Sequence, residues 1–443
     1  MTTPKQPELA PPMLLFGPDP GSGLFYDPCF HQLPYYPSKP AILRLLDVCL
    51  NRIGTVVLVP KNAKDKVMSI RSSVPHLIFA LMITVVPVLN VAAQDTPPAE
   101  DIDAKIQQLS EQGHFPGVAI AVMQAGEPVY VGTHGMANLA DSVPVASNTV
   151  FEIASLTKQM TALAITTLVE QGHFTLDDRI AEWIPDPPEA WAQVTVNQLL
   201  SHMGGFVHGF EQKVDDQYLL EYSRENMLAS AKNAPMIAQP GEDWNYSDLG
   251  YFLLGMIIES TTQKTYAEYM QSMFFRPLGM EQTHLLDQRR IVPHLARGYA
   301  WNDGKLERNR RVWQFALTSH FGVMSSLDDM MRWEAALVDS EVINHAALQS
   351  TWEIQRTFST GDSCDRWGYG RGWHVAIVDG KRVLNHGGYA GTAYIRFIDT
   401  GLAVIVLTNR EDNPNELSPI SLAWAIANAF DAEIPVDGYR CWE

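Results

Sequence analysis

Three short stretches of this 443-residue chain place together residue types that could carry acyl transfer. The first is Phe151-Glu-Ile-Ala-Ser155-Leu-Thr-Lys158. A serine hydroxyl must lose its proton before it attacks a carbonyl carbon, so it needs a basic neighbour within hydrogen-bond reach. Lys158 lies three residues on, which puts both side chains on one face of a helix. A helix start also offers free N–H groups and positive potential where negative charge would develop. By itself the pattern is weak, because a serine at such a place is most often just a helix cap. The second stretch is Trp244-Asn-Tyr246-Ser-Asp248, just ahead of an apolar run, where a phenol could point into a cleft or simply lie buried with its hydroxyl bonded. The third is Asn385-His386-Gly387-Gly388-Tyr389, whose glycines remove side chains from a strand edge or form an ordinary turn.

The surrounding patterns predict the elements that must position these groups. Gln159 to Gln171 carries Met160, Leu163, Ala164, Thr167 and Leu168 at helical spacing, an amphipathic helix that stops at Gly172. Leu249 to Glu259 reads as a helix packed on a core. Gly117–Met123 and Pro128–Thr133 flank Ala125-Gly126-Glu127 as a hairpin, and Thr392–Ile398 and Leu402–Thr408 form a second one around Asp399-Thr400-Gly401. Further helices are expected from Asp101 to Gln112 and from Pro419 to Phe430. The stretch between the hairpins is helical and loop-rich, with Pro185, Pro187, Pro188 and Pro240 as breakers. Strands at both ends with helices between predict an antiparallel sheet built from the N- and C-terminal segments, with a mainly helical region inserted at roughly 176–310.

Composition bounds the function. At 46% hydrophobic and 19% charged residues the chain can build a large core and is not a disordered one. The 8 basic and 5 acidic residues up to Ala93 leave −21 on the remainder of a chain whose net charge is −18. Such a body repels a phosphate backbone, so no nucleic-acid partner is expected. Residues 1–67 hold a Pro-rich stretch with no core pattern. Residues 68–93 then run from a basic start through uncharged Val74–Val91 to small residues at Val91-Ala92-Ala93, the order of a secretory signal peptide. Pro75, Pro87 and Asn90 make this segment a poor permanent span, so no stable membrane span is expected once it is removed. Translation is expected to start at Met68, the mature domain is 94–443, and the protein is exported, periplasmic or secreted. N-terminal sequencing of the exported protein should read from about Gln94, and a mature chain still beginning at Met1 would overturn this. Cys364 and Cys441 remain after export; they could pair or stand as two free thiols.

Taken in order, Ser155-x-x-Lys158, Tyr246-x-Asp248 and His386-Gly387-Gly388 resemble the S-x-x-K, Y-x-N and K/H-x-G motifs of serine β-lactamases and penicillin-binding proteins. Leu199–Gly205, Pro277–Met280 and Phe321–Asp329 are familial too, and the similarity spans roughly 100–440. It is greatest to the branch of class C β-lactamases, D-alanyl-D-alanine carboxypeptidases and related esterases. The resemblance implies an α/β, β-lactamase/transpeptidase-like fold with a cleft between a sheet domain and a helical one. It implies a Ser155 acyl-enzyme, with Lys158 and Tyr246 sharing the proton and His386 in the third motif. The backbone N–H groups of Ser155 and Tyr389, on the edge strand, would form the oxyanion hole. Asp248, Gly387 and Gly388 would contact substrate, and no metal or cofactor is required.

Two positions depart from the pattern. Asp248 stands where Asn is usual; an amide can donate to a substrate carbonyl, whereas a carboxylate only accepts. Beside Lys158 it would also favour the ammonium and shift the base role toward Tyr246. His386 stands where Lys is common and can be neutral near pH 7, holding a substrate carboxylate less firmly. The expected substrate is a small ester or amide. A β-lactam or D-amino-acid peptide is the alternative, and an acylated sensor or binding protein that does not turn over is a remoter one. His202 and His208 are read as structural, since no acidic partner sits at zinc-enzyme spacing, and no G-x-S-x-G elbow occurs.

Overall fold

The computed structural model describes residues 99–434 apart from 113, 210–212, 215, 216, 219, 310–313, 362, 363, 412–416 and 432. The Pro-rich segment, the signal-like segment and Cys441 lie outside the described residues. A nine-stranded sheet forms the frame. Its strands are β1 (Gly117–Gln124), β2 (Glu127–Asn138), β3 (Val143–Pro144), β4 (Arg356–Gly361), β5 (Cys364–Tyr369), β6 (His374–Val378), β7 (Lys381–Gly388), β8 (Thr392–Phe397) and β9 (Leu402–Thr408). The order is β4-β5-β6-β7-β8-β9-β1-β2-β3, and its neighbours pair antiparallel. Both hairpins form where the turn residues predict, with Ala125 and Gly126 at φ 50° and 86°. The two ends of the domain meet in β1–β9, where Val118 faces Thr408 and Val122 faces Val404.

Period-two alternation then sorts the side chains between two cores. Val118, Ile120 and Val122 face one way, with Ile102, Ile106 and Leu109 of α1 (Ala99–Gln112) and Leu422, Trp424 and Ile426 of the C-terminal helix Pro419–Phe430. Ala119, Ala121 and Met123 face the other, into the larger core shared with α2 (Thr157–Glu170) and α3 (Asp248–Thr262). Burying each large aliphatic side chain contributes about 1.5–3 kcal/mol, so a slip of one residue in β1 would exchange both sets and is strongly disfavoured.

Two expectations change. The inserted region is wider than 176–310: everything from Val145 to Gln355 lies between the sheet strands, and it includes a small ladder of Val150–Glu152, Val323–Ser326 and His284–Leu285 as well as helices. Helix Leu327–Val338 belongs to this stretch yet packs back on β1 and β9. The α2 helix is also not amphipathic: every residue from Thr157 to Leu168 is buried, because α3 and helix His345–Thr351 pack on it as well. Several of its polar side chains find partners inside. Thr161 Oγ1 donates to Ser319 O at 2.6 Å, and Gln159 Oε1 accepts from Trp333 Nε1 at 3.2 Å.

Candidate active site

Ser155 does not cap α2. It sits in a single 3₁₀ turn, Ala154–Leu156, directly before the helix, and Leu156 occupies the cap position without a side-chain bond. Ala154 takes φ 47°, an uncommon value for a non-glycine residue and a local strain just before the serine. The hydroxyl is thereby left for Lys158, whose Nζ donates to Ser155 Oγ at 3.0 Å. Lys158 itself is fully buried. Its Nζ also donates to the carbonyl of His320 at 2.7 Å and lies 2.7 Å from Asp248 Oδ1. The ring centroid of Tyr246 is 4.8 Å from the same nitrogen. Residues 155, 158, 246 and 248, spread over 94 positions of sequence, thus converge on one ammonium.

Asp248 is the first residue of α3, capped by the Ser247 hydroxyl, which accepts from Gly250 N at 3.1 Å. Burial works to raise the Asp248 carboxyl, but Lys158 outweighs it and holds it below the ordinary carboxylate range. Burial likewise works against the Lys158 charge; Asp248 and Tyr246 outweigh it and hold the ammonium above the ordinary lysine value. Both partners agree, so the pair is charged at neutral pH. Tyr246 is raised: burial dominates over the opposing charge of Lys158 and its bonds to Lys158 and Ser155. This alters the expectation that Tyr246 takes over as base. In the resting site both Lys158 and Tyr246 hold their protons, and neither is a base until one proton leaves.

The third motif packs from the other side. His386 is buried on β7, with its Nε2 3.3 Å from Tyr369 Oη and its Nδ1 2.7 Å from the carbonyl of Gly387. Burial, then His374 and Lys158, push its pKa well below the usual imidazole value, so it is neutral at pH 7. β7 is an interior strand rather than an edge strand. Its pairing with β6 ends at Asn385, however, so only the 386–388 stretch is bare on that side. A Cβ on Gly388 would lie 2.5 Å from Ile153 O and 2.2 Å from Thr392 Oγ1. The close approach this glycine allows is that of the chain's own serine-bearing turn. Tyr389 lies in the turn after β7, with its side chain exposed and its hydroxyl donating to Glu411 Oε2 at 3.1 Å.

Sequence reasoning missed the histidines around this centre. His202 is buried with its ring 4.4 Å from that of Tyr246, and its Nδ1 accepts from Ser247 N at 3.0 Å, so it braces the loop bearing Tyr246 and Asp248. His208 also stacks on Tyr246, its ring centroid 5.6 Å away at 25°. Its Nδ1 is 3.2 Å from the Tyr246 carbonyl and its Nε2 4.0 Å from Asp248 Oδ2. The signals were their place in one Gly-rich loop and the familial stretch Leu199–Gly205 around His202, but no spacing ties that loop to residue 246 some forty positions on.

A fully buried lysine on a serine hydroxyl, in a turn between a sheet and a helical layer, is an arrangement that can carry covalent acyl transfer. A family model described as Beta-lactamase matches residues 102–428, and the chain belongs to that family. It is a serine hydrolase. It is similar to a penicillin-binding protein of Bacillus subtilis (strain 168), 29% identical over 326 residues that cover 69% of this chain and 71% of the relative. It is 26% identical to Protein flp of Staphylococcus aureus (strain MRSA252) over 53% of this chain and 48% of the relative, about half of that relative's length. Among solved structures, the octameric penicillin-binding protein homologue from Pyrococcus abyssi aligns with a TM-score of 0.64 at 25% identity, covering 74% of this chain and 76% of that one. EstCE1, a hydrolase with promiscuous acyltransferase activity, shares the fold with a TM-score of 0.61 at 20% identity over 71% and 93%.

Proposed function

We propose that the protein hydrolyses small carboxylic esters through an acyl-enzyme on Ser155. Lys158, once neutral, takes the Oγ–H proton as Oγ attacks the carbonyl carbon. The proton passes on to the leaving alkoxide, with Tyr246 in contact with Lys158 and Ser155. The backbone N–H groups of Ser155 and Tyr389 hold the oxyanion. Water then repeats the sequence on the acyl group. The observation that carries the ester reading is Asp248: a carboxylate, bound to Lys158 at 2.7 Å, stands where an amide donor would meet an acylamino group. Neutral His386 agrees with this, because it offers no cation to a substrate carboxylate. The name of the Bacillus subtilis relative favours a second reading, a β-lactam or D-alanyl peptide substrate. Export and a periplasmic or secreted location belong to the same proposal. A panel of p-nitrophenyl esters, nitrocefin and D-alanyl peptides tests it on the chain from Gln94, and a preference for nitrocefin over the esters would sink the ester reading.

Asp248→Asn should act in two ways. Restoring an amide donor should raise kcat/KM for nitrocefin or N-acyl-D-alanyl peptides about 10-fold relative to esters, the ~1.4 kcal/mol of one hydrogen bond. Removing the carboxylate also removes the main group that holds the Lys158 proton. The amine then appears at lower pH, so the acid limb of every kcat/KM profile should move toward acid. Profiles of both substrate classes across pH check this, and a substitution that lowers both activities equally would make Asp248 a merely structural group.

A further inference from the structure

The resting site holds one proton too many, and Lys158 has no direct path to solvent because it is fully buried. Exposure rises outward along one line: 0% for the Lys158 side chain, 25% for Asp248 and 70% for His208. Asp248 Oδ1 is buried against the lysine, and Oδ2 looks toward His208 Nε2 at 4.0 Å. That span is beyond a direct hydrogen bond, but the exposed His208 side chain closes it by moving about 1 Å. The tautomer suits the task. A carbonyl only accepts, so the contact of Nδ1 with Tyr246 O puts the ring hydrogen on Nδ1 and leaves the Nε2 lone pair toward Asp248. Of the other titratable groups around the pair, none is suited to carry the proton outward. His202, His320 and His386 are all buried, and burial drives each of them toward the neutral form. Tyr246 is a protonated phenol.

We propose that Asp248 and His208 form a proton port through which Lys158 is returned to the free amine after each turnover. The inference rests on the reading of Lys158 as the base of Ser155. Ester hydrolysis near neutral pH leaves a carboxylate product and one proton, which stays on the Lys158–Asp248 pair. Lys158 Nζ–H gives that proton to Asp248 Oδ1. The carboxyl turns and passes it to His208 Nε2, and the imidazolium releases it to a buffer base. Lys158 ends as an amine, Asp248 as a carboxylate and His208 neutral, with no electron transferred. His208 is thus a positioning residue for protons, acting on Ser155 through Asp248 and Lys158, while its ring also packs on Tyr246.

The test compares wild type, His208→Ala and His208→Asn on p-nitrophenyl acetate in dilute buffer, with and without added imidazole. The reset follows product formation, so His208→Ala should lower kcat on the order of 10-fold or more and lower kcat/KM by less. Added imidazole should restore kcat in the variant and leave wild type unmoved. Asn keeps a donor for the Tyr246 carbonyl but cannot carry the proton, so His208→Asn should be as slow as His208→Ala. An unchanged kcat in His208→Ala, a loss that imidazole does not restore, or a fully active His208→Asn would each overturn the port. Wild-type preference for nitrocefin would end the ester reading alone, since p-nitrophenyl acetate still reports the port.

Discussion

Ser155→Ala is expected to reduce ester turnover on the order of 10⁴- to 10⁶-fold, down to what substrate binding and an oxyanion hole retain. The hydroxyl is the one nucleophile against Lys158, at 3.0 Å, and no other side chain in the turn can form the acyl bond. The fold should survive, since the serine caps no helix and its removal leaves α2 and both cores in place. An organophosphonate should add once per wild-type chain, on Ser155, and not at all to the variant; mass spectrometry reads both. An alanine variant with full activity, or a phosphonate found elsewhere, ends the proposed mechanism.

Lys158→Ala should lower kcat/KM about 10²- to 10⁴-fold, the usual worth of a positioned proton acceptor, and Tyr246→Phe should fall in the same range. The lysine variant should also lose stability. Removing one partner of a buried ion pair costs about 3–5 kcal/mol, less here because Asp248 keeps a quarter of its surface exposed. The pH dependence has a definite sign. In wild type Lys158 holds the Asp248 pKa down, so the pair stabilises the fold at neutral pH and that contribution fades as pH falls through the lowered pKa. Without Lys158, burial, the largest influence, works to raise it against only the weaker pull of His320 and His208, so the carboxylate is costly at neutral pH and relieved on protonation. The Tm deficit of Lys158→Ala should therefore shrink in mild acid. Combining it with Asp248→Asn should recover stability at neutral pH while activity stays lost. Equal deficits at both pH values would mean that the pair is not charged in the folded protein.

Much of this was legible from the residues because it is local. Turn chemistry at Ala125-Gly126, a β-branched run in β1 and the glycine stop after α2 each act within a few positions, and these elements formed where the patterns place them. The three spaced motifs named the residues that meet at the site, because acyl transfer needs those types in any order of folding. Proton states were not legible. The sequence shows a carboxylate two residues from a tyrosine, but whether Tyr246 is a base depends on burial, and burial is a property of the packed molecule. The same holds for α2, whose apolar spacing reads as one face although neighbours cover every side.

The sequence by itself determined the family, the serine–lysine–tyrosine set and the departure at Asp248, since these are matters of residue type and spacing along one chain. Only the tertiary structure decided that Gly388 serves the approach of the serine turn and that His386 is neutral. It also decided that Asp248 binds Lys158 through Oδ1, and that His208 joins them from a loop forty residues away. Those facts depend on distances across the fold and on the exclusion of water, and neither is written in the order of residues.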